Sequence, residues 1–269
     1  MKRSAIYAVL IVGAVAFAYP FLWMFTSSLK PEAEIGGFGL WSDSSGLHNY
    51  AEVFSRIPIG RALLNSIITS SISTCSVMLF GSMVGYALAR LRFRGRDSLY
   101  HLILFTMMIP FQITLIPQYV LMVGLGITDT YLAIVAPTLM SAFGIVLFRQ
   151  FFRGIPQAFI DAARIDGCTE WGILRRLIWP MARPVLVTVG ILTFMSSWNE
   201  VLWPLIVVRE RSLMTMPQLV TLFTIGGESE ALLGLQLAAA TMLALPIVIG
   251  YGFFQRSFIE SMASAGIKG

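Results

Sequence analysis

The chain has 269 residues, of which 57% are hydrophobic and only 12% charged, with 19 Lys and Arg against 14 Asp and Glu. A soluble domain carries about 25% charged residues, and a chain this poor in charge would expose apolar patches large enough to aggregate in water. That excludes an ordinary soluble domain. The basic residues lie between apolar runs and form no single stripe, so no nucleic-acid partner is expected either.

The first element is an apolar run from Ala5 to Phe25, 21 residues long, behind Met1-Lys2-Arg3. The basic start and the small residues around Ala16 imitate a secretory signal, but a signal's apolar region is about 7–15 residues. At about 1.5 Å per residue this run reaches roughly 30 Å, the thickness of the hydrocarbon core. It predicts a first spanning helix. A polar loop of about Lys30–Arg61 follows, with Trp41 and several Gly and Ser.

Five more apolar segments run about Ala62–Ala89, Leu99–Val123, Tyr131–Phe152, Pro184–Val208 and Leu237–Phe258. They are continuous and not alternating, which favours spanning helices over barrel strands. Pro110, Pro117, Pro137, Pro204 and Pro246 lie within them and predict kinks. Gly81-x3-Gly85 in the second segment predicts close helix packing. The fold class is therefore an all-α integral membrane protein of six transmembrane helices, forming a single transmembrane domain over 1–269.

Loop charge orients the chain. With the N-terminus inside, one side holds Lys2, Arg3, Arg90, Arg92, Arg94, Arg96, Arg149, Arg153, Arg164, Arg175, Arg176, Arg183, Arg256 and Lys268. The other holds only Lys30, Arg56, Arg61, Arg209 and Arg211. The positive-inside rule then gives cytoplasmic N- and C-termini in a multi-pass protein of a cytoplasmic membrane. The Arg90–Arg96 cluster is read as topology and lipid-headgroup contact.

The inner loop of about 153–183 is the most patterned stretch. Pro156 suits a helix N-terminus and Gly167 the left-handed position past a C-terminus. Phe159, Ala162, Ala163 and Asp166 fall at i, i+3, i+4 and i+7 and are expected to share one face. Thr169 is a candidate N-cap for a second amphipathic helix ending near Pro180. Helix, Gly turn, helix and Pro predict a rigid elbow that receives force from outside the membrane.

The run Asp161-Ala162-Ala163-Arg164-Ile165-Asp166-Gly167, with Ile178-Trp179-Pro180 and Pro184 behind it, resembles the coupling-loop signature of binding-protein-dependent ABC importer permeases. That family usually has Glu where Asp161 stands. The resemblance extends over nearly the whole chain and points to the carbohydrate-uptake branch and its maltose-type second permease subunit. Thr26–Lys30, Asn49-Tyr50, Asn65-Ser66, Trp198-Asn199-Glu200 and the terminus Ala265–Gly269 carry it. It implies a short helix docked on a cytoplasmic ATPase through Phe159, Asp161, Ala162, Ala163, Asp166, Gly167 and Pro180. It also implies that tail residues Gly266, Lys268 and Gly269 reach that ATPase, and that the loop of about Arg209–Gln236 meets the binding protein. The partners implied are a second homologous permease, an ATPase dimer, an extracytoplasmic solute-binding protein and membrane lipid.

Energy input can be read from the residues themselves. The only lysines are Lys2, Lys30 and Lys268, none followed by Ser or Thr, so no phosphate-cradling P-loop exists. ATP and Mg are expected in the partner, with no cofactor in this chain and no enzyme activity. His48 and His101 have no second ligand at metal spacing. Cys75 in an apolar run and Cys168 in the inner loop cannot meet as a disulfide.

One acid, Glu200, falls inside a span, where a charge costs about 2.5–3.5 kcal/mol and usually faces a cavity or a partner. Two readings stand. Trp198, Asn199 and Glu200 either line a solute pathway by stacking and hydrogen bonding, or they form a polar site near the headgroups. The alternative function is a proton-coupled secondary carrier with Glu200 as relay. No transporter-type inverted repeat is apparent to favour that alternative, and no catalytic constellation supports a membrane enzyme.

Overall fold

The computed structural model describes residues 2–36 and 39–266, with side chains described for 3–36 and 39–252. In chain order the helices are α1 (Lys2–Ser28), α2 (His48–Arg56), α3 (Ile59–Arg90), α4 (Arg96–Thr106), α5 (Phe111–Gly124), α6 (Tyr131–Thr138) and α7 (Ala142–Arg153). They continue as α8 (Gln157–Ile165), α9 (Glu170–Met181), α10 (Arg183–Trp198), α11 (Leu202–Val207), α12 (Met216–Ile225) and α13 (Leu233–Gly266). The described residues contain no strand.

Helices α1, α3 and α13 are long and apolar enough to cross a membrane alone. Three pairs qualify together: α4 with α5, bent by 100°, α6 with α7, bent by 44°, and α9 with α10, bent by 84°. By length and composition the count reaches six if each pair is one span, with α10 the spanning part of the third pair and α9, which carries Glu170, Arg175 and Arg176, lying outside the apolar layer. The bends are sharper than the kinks expected, and each has a local cause. Pro110 has no N–H to continue α4, and it disfavours helical geometry at Ile109 before it. Ser141 restarts the chain as α7, its hydroxyl accepting from Gly144 N at 3.2 Å. Pro184 sits in the first turn of α10, where its missing donor costs nothing.

The chain packs as two compact units, 1–63 with 215–250 and 64–214 with 251–269. In the first unit, Asn49 is buried and donates from Nδ2 to the Ser28 and Lys30 carbonyls, both at 2.9 Å. These carbonyls at and just past the end of α1 have no donor within that helix, which explains why Asn49 is needed. Glu32 accepts from Leu233 N at 2.7 Å and Gly234 N at 2.8 Å, capping the start of α13 with its charge. A Cβ on Gly234 would stand 2.8 Å from Asn49 Nδ2, so the same asparagine also excludes a side chain there. The segment Arg209–Gln236, expected as an outer loop, contains α12, whose Leu219, Val220 and Phe223 are buried. Its apolar run is only ten residues, too short to register as a span.

The second unit is organised on α3 and α7. A Cβ on Gly85 would fall 2.6 Å from Phe148 Cβ and 3.1 Å from Arg149 N, so the two helices approach at backbone distance. Asn65, fully buried on α3, donates to Ser212 O and Met214 O and accepts from Tyr131 Oη at 2.6 Å. A core of Val77, Phe148, Phe152, Ile160, Ile173 and Ile178 runs continuously from the membrane-spanning α3 into the elbow.

Candidate functional site

The elbow is α8, a turn at Gly167, and α9. Pro156 stands just before α8, which its fixed φ and missing N–H suit. Gly167 has φ +75°, and Cys168 N donates back to Ala163 O at 3.0 Å, closing α8 with a left-handed turn. Thr169 caps α9, its hydroxyl accepting from Gly172 N at 3.2 Å. The second helix runs one residue past the end expected near Pro180, to Met181.

A polar network fixes the elbow to α3. Arg90, at the end of α3, donates to the carbonyls of Phe152 and Ile155 and, from Nη1, to Gln157 Oε1 at 2.9 Å. Gln157 donates to Asp161 Oδ1 at 3.0 Å, and Asp161 lies 3.4 Å from Arg164 Nη1. Arg164 Nε reaches Glu170 Oε1 at 2.8 Å, and Tyr86 Oη donates to Glu170 Oε2 at 2.5 Å. Burial pushes the Glu170 carboxyl up, but the bonds from Arg164 and Tyr86 outweigh it and hold that carboxyl below its ordinary value. The bond to Glu170 likewise raises the Arg164 guanidinium. Isolated pairs this exposed are worth little. Joined end to end on a packed core, they set the angle of α8.

The face of α8 departs from the expected one. Ile160 is fully buried, and Ala163, three residues on, is half-buried against the same core. Ala163 therefore belongs to the inward side. Phe159, Ala162 and Asp166 do point outward, joined by Ile165, which is 86% exposed. Sequence reasoning missed Ile165, although an isoleucine at i+3 from Ala162 on a polar-flanked helix is itself a signal. It also missed Arg90, Gln157, Glu170 and Tyr86, whose partners are distant in sequence.

Trp198-Asn199-Glu200 marks the break between α10 and α11. Trp198 is 1% exposed and stacks on Phe194 at 5.8 Å between ring centroids. Buried in this way, the indole presents no exposed face for solute stacking in this structure. Asn199 closes α10, with Nδ2 and N both donating to Met195 O. Glu200 accepts from Leu202 N at 2.8 Å and Trp203 N at 3.1 Å, the geometry of an N-cap for α11. Trp203 in turn donates from Nε1 to Ala133 O at 2.9 Å. Nearby, Asp129 at φ +55° accepts from the Arg209 and Glu210 amides, which hold its carboxyl below the usual range. In the tail, Lys268 and Gly269 lie outside the described residues, and Gly266 ends α13. No group of three potential metal ligands occurs among the described residues.

A multi-pass helical protein with a rigid, apolar-tipped elbow outside its spans has the form of a transport permease. Residues 77–260 match the family described as the binding-protein-dependent transport system inner membrane component, and the chain belongs to that family. It is 37% identical to the arabinooligosaccharides transport system permease protein AraQ of Halalkalibacterium halodurans, over 100% of this chain and 99% of that one. It is 31% identical to the trehalose transport system permease protein SugB of Mycobacterium tuberculosis, again over 100% and 99%. Among solved structures, a bacterial ABC transporter involved in importing the acidic polysaccharide alginate superposes with a TM-score of 0.83 at 25% identity, over 95% of this chain and 96% of that one.

Proposed function

We propose that this chain forms half of the translocation pathway of an ATP-driven carbohydrate importer. The observation that carries the reading is the outward face of α8, where Phe159 and Ile165 stand exposed on a helix fixed by the Arg90–Glu170 network. Exposed apolar residues on a rigid support are the anatomy of a docking site. The partner is an ATPase subunit, which binds ATP and Mg, since this chain has no P-loop to cradle phosphates. The elbow and both termini then lie in the cytoplasm, in agreement with the basic residues around them. Segment 209–236 faces the solute-binding protein, and a second homologous permease completes the pathway.

The solute class follows the relatives, whose names specify arabino-oligosaccharides and trehalose. The proton-carrier alternative loses its central residue, because Glu200 is engaged as a helix cap. Reconstitution decides the matter. The chain with its second permease, ATPase and binding protein should import labelled sugar only with ATP. Uptake by the purified chain alone under a proton gradient would overturn the reading.

A further inference from the structure

Two π-helical turns interrupt otherwise regular helices in the second unit. One is Val77–Gly81 within α3, and the other is Leu174–Ile178 within α9 of the elbow. A π turn is strained relative to the α-helix and is found mostly at functional places. The residue immediately after the first is Ser82, and the residue immediately after the second is Trp179. These two are hydrogen-bonded, Trp179 Nε1 donating to Ser82 Oγ at 3.0 Å across 97 positions of sequence. Ser82 is fully buried, and its hydroxyl donates onward to Leu79 O at 2.9 Å, inside the first π turn.

The first turn is also closely fitted to its neighbours. A Cβ on Gly144 of α7 would meet Val77 Cγ1 at 3.0 Å, and one on Gly190 of α10 would meet Met78 Sδ at 3.2 Å. The widened turn thus seats two consecutive side chains in glycine notches of two different spans. Interfaces packed this tightly shift between discrete arrangements and do not deform continuously. At the other end, Trp171 meets Trp179 edge to face at 5.5 Å, tying the indole to the first turn of α9.

Resting on the elbow reading above, we infer that Trp179 is a positioning residue for transport. Its indole N–H links the π turn of the elbow to the π turn of α3, so displacement of α9 shifts Val77 and Met78 against Gly144 and Gly190. The core contacts of the elbow hold it in place, while this hydrogen bond carries the movement into the membrane.

The test uses the complete transporter in proteoliposomes and reads ATP hydrolysed per sugar imported. Trp179→Phe keeps a partly buried ring and removes the donor, and Ser82→Ala removes the acceptor. Each should raise the ratio about fivefold, the factor one neutral hydrogen bond supplies, at wild-type abundance and with the ATPase retained. The double variant should be no worse than either single, as expected for one shared link. A wild-type ratio in both singles, additive effects in the double, or loss of assembly in either single would overturn the proposal. Ile165→Asp is run in parallel to separate the two ideas. If it abolishes uptake while Trp179→Phe stays at the wild-type ratio, only the relay fails. If Ile165→Asp leaves uptake intact, the elbow reading fails and the relay with it.

Discussion

The elbow at 153–183 and the helix break at 198–202 both stop one helix and start another, yet they dispose of their residues in opposite ways. At the elbow Asp161, Arg164 and Glu170 are joined to one another and the apolar residues Phe159 and Ile165 are left outside. At the break the aromatic residues Trp198 and Trp203 are buried, and the charge of Glu200 is consumed by backbone amides. A hidden apolar group stabilises its own chain, whereas an exposed one on a fixed support stabilises a complex. The contrast supports the proposal that the elbow meets a partner, while the break serves local architecture.

The largest effect on uptake that should confirm this contrast is expected at Gly167. With φ +75° and open space around its Cβ position, the obstacle to a side chain there is conformational, not steric crowding by neighbours. A β-branched residue at such φ costs about 1–3 kcal/mol and is relieved by redirecting the chain. Gly167→Val should insert normally and lose at least about tenfold in uptake, which transport at matched membrane abundance will measure. Uptake at wild-type level would mean the elbow's angle does not matter.

The opposite site is read through stability and not through uptake. Trp198→Ala empties a buried, stacked position and should cost about 3–5 kcal/mol, seen as a fall in membrane abundance. Trp198→Phe keeps the stack on Phe194 and should transport at close to the wild-type rate. Selective loss of uptake in Trp198→Phe, at normal abundance, would return this residue to the pathway.

Much of this was legible in the sequence, for reasons that differ by residue. The spans announce themselves because a lipid-facing helix must be apolar along its whole length. Gly167 and Thr169 were legible because turn and cap chemistry is local. The 100° bend between α4 and α5 was only half legible, since Pro110 predicts a kink but not its angle. Ala163 was misplaced because periodicity defines a stripe, while only the buried Ile160 says which edge of the stripe faces inward. The Arg90–Gln157 and Tyr86–Glu170 bonds span 67 and 84 positions, beyond the reach of any local pattern.

The exposed face of α8 makes a smaller and more specific prediction. Burying an isoleucine side chain is worth about 1.5–3 kcal/mol, so Ile165→Ala should reduce ATPase retention on purification about tenfold. Ala163→Ser, on the inward edge, should leave retention unchanged. Equal losses in the two variants would erase the distinction between the faces.

The elbow's network adds a pH dependence. The Glu170 carboxyl is held below its ordinary value of 4.5, so its bonds are fully present above that value and lost as pH falls through the lowered one. Amide hydrogen exchange around Cys168–Gly172, corrected for intrinsic rates, should show constant protection from about pH 8 down to the ordinary carboxylate value of 4.5 and a fall only below it. Glu170→Gln should abolish that step. Loss of protection already near neutrality would show that another group governs the elbow.

The smallest effect is expected at Glu200, and it is the most discriminating for mechanism. Its Oε1 accepts from two successive amides at 2.8 and 3.1 Å, and this acceptor role needs an oxygen but not a charge. Glu200→Gln keeps the carbonyl oxygen and gives up only the part of the cap that depends on charge, about 0.3–1 kcal/mol. Uptake at matched expression should therefore stay within about fivefold of wild type, with no change in its pH profile. Glu200→Ala removes the acceptor as well and should lower abundance further than the Gln variant does, by about 0.5–2 kcal/mol of stability. A proton relay would give the reverse order of severity by function: Gln, unable to titrate, would abolish transport at normal abundance, however well it capped α11. The two substitutions together thus separate a carboxylate that starts a helix from one that moves a proton.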